Sequence, residues 1–311
     1  MKIPPDFLLY RKKLKSQAAL WRNIALAVMT LFALYYVLST VPKYYNKSSS
    51  GNRIARVSIE SEISEDRTRE EKLKKIADND KIKAVIVHIN SPGGTVFGGE
   101  STYYAIREIA HKKPVVVVMG SFAASAGYMV SIAADYIIAR NSTLTGSIGV
   151  LFISADVTEF AKKLGIKPII LKSGRLKAEP LPFKKMDEEV REYTMETIMD
   201  NYEIFVNMVS ERRKLSKKSL LKIADGRVMT GRQALSYNLI DEIGGEDVAL
   251  KWLHEKKSIN KGLKVVDVSL AKKKRMIDQL LIEPLDSTKA WIIQYFNKVF
   301  LDLTNRISTF Q

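Results

Sequence analysis

Ser125 stands in "GSFAASAGYM", residues 120–129, just past the valines of "HKKPVVVV", residues 111–118. A run of valines after a proline predicts a strand buried on both faces. The Ala/Gly-rich stretch after it predicts a helix. Ser125 therefore falls near a strand-to-helix turn, where an open sheet presents its reactive groups. Small residues there also let a helix pack closely on a sheet, so this stretch alone leaves nucleophile and packing residue both open.

Three other stretches could contribute. "INSPGG", residues 89–94, follows an apolar run. Pro92 and two glycines force a turn and leave backbone N–H groups uncrowded, able to hold an oxyanion. "TGSIGV", residues 145–150, carries Ser147, and "SGRLKAEPLPF", residues 173–183, sets Lys177 among apolar and small residues. A serine hydroxyl is a poor nucleophile until a base takes its proton. The histidines are weak bases for this task. His88 sits inside a predicted strand, His111 lies at a helix end beside Lys112 and Lys113, and His254 is in a late helix. A Ser-His-Asp arrangement is thus the lesser alternative. A lysine can serve only when neutral, and desolvation lowers its ordinary pKa of about 10.4 by several units. Lys177 as a base must therefore be buried once the site is assembled, with Leu176, Leu181 and Phe183 as apolar cover. Lys172, Lys184 and Lys185 read as solvated.

The elements that must position these residues follow from hydrophobic periodicity. Strands are predicted in "RIARVSIE" (53–60), "IKAVIVHIN" (82–90), "PVVVVMG" (114–120), "DYIIA" (135–139), "SIGVLFI" (147–153) and "KPIIL" (167–171). Helices are predicted between them, which makes a mostly parallel α/β sheet covered on both faces. From Met186 the pattern turns helical. Val190, Tyr193, Met195, Ile198, Tyr202, Phe205, Met208 and Val209 form one broad stripe, predicted to be core. A second helical pattern runs from Met276, with Ile292, Phe296, Val299, Leu303 and Ile307 at helical spacing. It suits packing on its own domain or another subunit better than lying on a membrane.

Composition bounds the function. The 311 residues contain no cysteine and three histidines, which excludes thiolate chemistry and argues against a metal cluster. The net charge of +16 raises nucleic acid as a partner. Residues 1–50 hold eight Lys/Arg and one Asp, beside an apolar span, and no aromatic pattern for RNA interleaves with the remaining charge. Nucleic-acid binding is therefore set aside. Asn23 to Val41 carries no charge and is just long enough to cross a bilayer core, flanked by Trp21, Tyr44 and Tyr45. Arg11, Lys12, Lys13, Lys15 and Arg22 precede it, so the N-terminus is expected on the cytoplasmic side. The following "STVPKYYNKSSSGN" offers no good small-residue cleavage site, which favours an uncleaved anchor over a signal peptide.

Taken in order, the four stretches resemble the bacterial signal peptide peptidase family, membrane-anchored Ser-Lys proteases of the Clp protease/crotonase superfamily. The resemblance covers roughly residues 53–245 and includes "IADGRVMTGRQALSYNLIDEIGG", residues 223–245. It implies a fold of repeated ββα units with a mostly parallel sheet, plus a transmembrane helix and a helical C-terminal region. It implies Ser125 as nucleophile, Lys177 as general base and Ser147 as the serine that hydrogen-bonds the lysine. The oxyanion donors would be the backbone N–H of Gly93 or Gly94 and of Ala126, where many relatives have glycine. No metal or cofactor is implied. Expected substrates are cleaved signal peptides and other apolar peptides, handled by a homo-oligomer in which serine and lysine can come from neighbouring copies. The expected organisation is a basic N-terminus (1–23), a transmembrane helix (24–41), a linker (42–52), a protease domain (53–255) and a helical extension (256–311). The expected location is the bacterial inner membrane, with the catalytic domain outside the cytoplasm. A crotonase-type acyl-CoA enzyme and an inactive membrane scaffold are the alternatives from other classes.

Overall fold

The computed structural model describes residues 5–45 and 51–271. They fall into two units, divided after Asn52. The first is a single helix, α1 (Pro5–Tyr45). Its stretch Gln17–Tyr36 is apolar and long enough to cross a membrane, and none of it is buried against protein. This overlaps the expected span at residues 24–36.

The second unit is a layered α/β domain. Its elements are β1 (Arg53–Glu60), α2 (Arg67–Ala77), β2 (Ile82–Ser91), α3 (Val96–Lys112), β3 (Val115–Ala124), α4 (Ala126–Ser131), β4 (Tyr136–Ala139), β5 (Leu144–Gly146), α5 (Thr158–Lys163), α6 (Glu188–Arg213), α7 (Lys217–Leu220), β6 (Val228–Thr230), α8 (Gly231–Ser236), β7 (Glu242–Ile243), α9 (Glu246–Lys257) and β8 (Lys264–Asp267). The strands form one sheet in the order β6-β5-β3-β2-β1-β8, with β4 beside β3 and β7 beside β4. Every pairing is parallel except β5 with β6.

Strand alternation divides the core between the two faces of the sheet. Val85, Val87, Ile89, Val115, Val117 and Met119 pack in one cluster, which also takes residues of α2, α3, α4 and α6. Ala84, Ile86, Val116 and Val118 turn to the other face, against Ala249 and Leu253 of α9. The valine run is thus a strand covered on both sides, as its lack of alternation requires. Helix ends are set by side chains: Asp66 and Thr95 accept from the backbone N–H groups of Arg69 and Gly98, and Thr230 with Gln233 closes a capping box.

Several expectations fail, each for a nonlocal reason. Residues 147–153 and 167–171 form no strand. The first run continues β5 for two residues, where the Ser147 and Gly226 N–H groups donate to the Arg227 and Ile148 carbonyls at 2.9 and 3.0 Å, and has no such bond from residue 151 to 156 among the described residues. Ile148 is fully buried, whereas Leu151, Phe152 and Ile153 and the second run face solvent, Ile169 at 87% and Leu171 at 92% exposure. The stripe of α6 is core only in part: Val190 is 2% exposed and Phe205 and Val209 at most 1%, whereas Tyr193 is 48% and Met195 47% exposed. The boundary at residue 255 also moves, because β8 pairs with β1 and belongs to the sheet rather than to a helical extension. The expected helical pattern from Met276 lies outside the described residues.

Truncation along α6 tests the half-core reading. Phe205→Ala is expected to lose about 3–5 kcal/mol in urea unfolding, and Tyr193→Ala within about 0.5 kcal/mol of none.

Candidate active site

The carboxyl ends of β1, β2, β3 and β5 converge on one cavity of about 590 Å³. Its lining includes Ser125, Ser147, Pro92, Gly93 and Gly94. Ser125 follows β3 directly and precedes α4, with φ 52 and ψ −120. Positive φ in a non-glycine residue is strained and turns the side chain out of the strand's alternation. The strain is held by surrounding structure. The Ser125 N–H donates to the Gly146 carbonyl at 2.9 Å, and the Met129 N–H donates to the Ser125 carbonyl at 2.9 Å. The helix behind it is fixed in the core. Tyr128 is fully buried and donates its hydroxyl to the Leu239 carbonyl at 2.8 Å, and burial pushes its phenol well above its usual range.

The Pro-Gly-Gly turn lies against Ser125. Gly93 has φ +136, and a Cβ there would sit 3.0 Å from the Ser125 Cβ. A Cβ on Gly94 would stand 2.0 Å from the Ile63 carbonyl oxygen. That contact belongs to a short bridge. Ile63 donates its N–H to the Gly93 carbonyl (2.8 Å) and accepts at its own carbonyl from Thr95 N–H (2.9 Å). Buried Ser91 closes the turn from within: the Gly93 N–H donates to Ser91 Oγ at 3.2 Å, and that hydroxyl donates to the Gly93 carbonyl at 3.0 Å. Among the described residues the N–H groups of Gly94 and Ala126 have no hydrogen-bond acceptor. Gly93 is thus committed to the turn, and Gly94 is the turn's free donor. Ser91 and Ile63 were missed from sequence; "S-P-G-G" holds the signal for the first, since a serine two residues before a glycine can close such a turn.

Ser147 sits at φ 49, its N–H donating to the Arg227 carbonyl at 2.9 Å. Arg227 also donates from Nε to Asp225 at 2.8 Å, and this bond holds the Asp225 carboxyl down at about 2. The loop that fixes Ser147 is thus tied by an ionised pair.

Lys177 is not brought to this cavity. It does not line it, and it is exposed. It sits in the segment between β5 and α6, its N–H donating to the Gly174 carbonyl at 3.0 Å. Among the described residues no carboxylate pairs with its ammonium. Lys172, Lys184 and Lys185 are exposed, as expected, and the first two also pair with Glu179 at 2.5 Å and Asp187 at 2.8 Å. The histidines stay away from the cavity lining, and His254 binds the Ile259 carbonyl through Nδ1 at 2.8 Å. No group of three or more His, Asp or Glu that could hold a metal ion occurs among the described residues.

The sequence matches known proteins over the segments that build this site. Residues 107–260 match the model of peptidase family S49, and residues 44–144 match that of Clp protease. A putative protease of Synechocystis is 34% identical over 209 residues, 66% of this chain and 75% of that protein. The chain belongs to peptidase family S49. A putative protease of Methanocaldococcus jannaschii is 42% identical over 177 residues, 57% of each chain. A putative signal peptide peptidase of Enterococcus faecium is 36% identical over 190 residues, 60% of this chain and 55% of that one. The match therefore spans little more than half of these last two S49 relatives. Among solved structures, the ClpP1 protease of Listeria monocytogenes has 20% identity and a TM-score of 0.42, covering 61% of this chain and 91% of that one.

Closeness at the turn makes a sharp expectation. Gly94→Ala must displace the Ile63 backbone and is expected to lose at least about 2 kcal/mol in thermal unfolding. Gly165→Ala, with nothing within 4 Å but φ +71, is expected to lose only about 1 kcal/mol.

Proposed function

We propose that this chain is a membrane-anchored serine endopeptidase whose base arrives from a second copy. The observation that carries this reading is Ser125, held at positive φ on a strand-to-helix turn with Ser147 and the Pro-Gly-Gly turn in one cavity. Ser125 Oγ attacks a peptide carbonyl while the neutral Lys177 amine takes its proton. The N–H groups of Gly94 and Ala126 hold the developing oxyanion, each worth on the order of 3 kcal/mol. Lys177 then gives the proton to the leaving amine, and water hydrolyses the acyl-enzyme. The Ser147 hydroxyl holds the amine in place.

A lysine in solvent is charged and cannot do this. The exposed apolar residues that flank Lys177 in sequence support assembly as the remedy. Leu151, Phe152, Ile153, Ile169 and Leu171 are all exposed, and large exposed apolar patches on a folded chain mark contact surfaces. A neighbour covering them would desolvate the lysine and deliver it to the next copy's serine. Membership of family S49 supports the reaction class. The apolar side chains of Val96, Val150 and Leu151 at the cavity suit unstructured apolar peptides, cleaved signal peptides among them. The helix α1 supports an anchor that holds the site near such substrates.

Purified full-length chain and its variants, incubated with an unstructured apolar peptide, test this. Ser125→Ala and Lys177→Ala are each expected to lose on the order of a thousandfold in kcat. Mixing the two dead variants is expected to restore part of the turnover, since one copy contributes serine and the other lysine. Turnover by Lys177→Ala at the wild-type rate would discard Lys177 as base. Undiminished turnover by Ser125→Ala would discard the peptidase mechanism altogether.

A further inference from the structure

One residue at the cavity has a chemistry that the mechanism does not use. Glu62 lines it together with Ser125 and Ser147, and is its one ionisable lining residue; every other lining residue is neutral. Its place is fixed by backbone on both sides. Ser61 donates its N–H to the Asn90 carbonyl at 3.1 Å, and Ile63 donates to the Gly93 carbonyl at 2.8 Å. Ser61 itself is held at φ 62, a left-handed conformation in a non-glycine residue. The chain thus turns sharply after β1, and the turn leaves Glu62 at the rim beside the candidate oxyanion donor.

The Glu62 carboxylate is exposed and makes no hydrogen bond or ion pair among the described residues. The nearby guanidinium of Arg69 is directed elsewhere: it donates to the Ser64 carbonyl and feels the charges of Asp66 and Glu70. Around Glu62 the local charge runs against the chain as a whole. Residues 60–66 contain Glu60, Glu62, Glu65 and Asp66 and no Lys or Arg, within a protein of net charge +16. A concave site bordered by one sign of charge concentrates ligands of the other sign.

We infer that Glu62 is a specificity-determining residue, which selects peptides carrying a lysine or arginine close to the scissile bond by pairing with the cationic side chain. The inference rests on the peptidase reading of the same cavity and adds a substrate class to it: apolar peptides that also present a basic residue. The apolar wall of Val96, Val150 and Leu151 takes the uncharged part of such a peptide, and the carboxylate takes its cation. Discrimination here is a difference between peptides, so it is read as a ratio.

The test uses one apolar peptide in three forms, with Lys, Gln or Glu at each position flanking the cleaved bond in turn. Full-length wild type, Glu62→Gln and Glu62→Lys are compared by kcat/KM. Binding is measured by fluorescence anisotropy in a Ser125→Ala background. Wild type is expected to favour the best-placed Lys peptide over its Gln counterpart by about tenfold, the range of a charge-assisted hydrogen bond. Glu62→Gln should bring that ratio close to one, Glu62→Lys should shift preference to the Glu peptide, and added salt should weaken both preferences. A ratio unchanged in Glu62→Gln, or no preference in wild type, overturns the inference. An equal loss on all three peptides overturns it too, because the carboxylate would then serve the general machinery. Binding preference that tracks Glu62 without any turnover would uphold this inference and sink the nucleophile reading, which separates the two.

Discussion

The site depends on the absence of two side chains. Gly93 and Gly94 let the turn after β2 approach the Ser125 side chain on one side and the Ile63 backbone on the other; a Cβ on Gly93 would be crowded at 3.0 Å and strained at φ +136, and one on Gly94 would collide with the Ile63 carbonyl at 2.0 Å. Everything chemical at the cavity follows from that approach. It sets Gly94 in the lining of the same cavity as the serine, and it lets Ile63 bridge the turn through two backbone hydrogen bonds. It also fixes the short stretch that carries Glu62. Parallel strands make the arrangement possible, because their carboxyl ends all arrive at the same edge. Strands β1, β2, β3 and β5 each contribute the residue or turn that immediately follows them.

Those contributions were legible where the signal was local. A valine run, a proline before it and small residues after it suffice to put Ser125 at a strand end. The glycines of "SPGG" and "TGSIGV" identify their turns in the same way. The signal fails where pairing is decided at a distance. "SIGVLFI" and "KPIIL" have the composition of strands, but composition does not say how far a partner strand runs alongside, and the backbone bonds of the first run to its antiparallel neighbour end at Ile148. β8 was missed for the converse reason. "LKVVDV" is short and lies beyond the motifs, and only the free edge of β1 makes a strand of it. The apolar stripe of α6 has the right period throughout, yet period does not report how far the rest of the fold reaches. Val190 and Phe205 are buried, but Tyr193 and Met195 between them are exposed. Glu62 carried no signal at all, because a glutamate after a strand is usually a solvated end.

Lys177 is the residue for which sequence and single-chain geometry diverge most. Its surrounding "SGRLKAEPLPF" singles it out among nearby lysines, while the structure leaves it exposed and away from the cavity lining. Lys172 and Lys184 answer to carboxylates within their own segment, through Glu179 and Asp187.

The segment between β5 and α6 has a further consequence. Residues 151–156 and 167–173 make no backbone-to-backbone hydrogen bond among the described residues, and their large side chains face solvent. Such a segment is adhesive, and its saturation depends on how often copies meet. In dilute solution those meetings are rare. Copies tethered by a helix to one shared surface are confined to two dimensions, and their effective concentration rises without any change in their number. On the anchored reading proposed above, surface density, rather than total amount of protein, would set how many copies find each other.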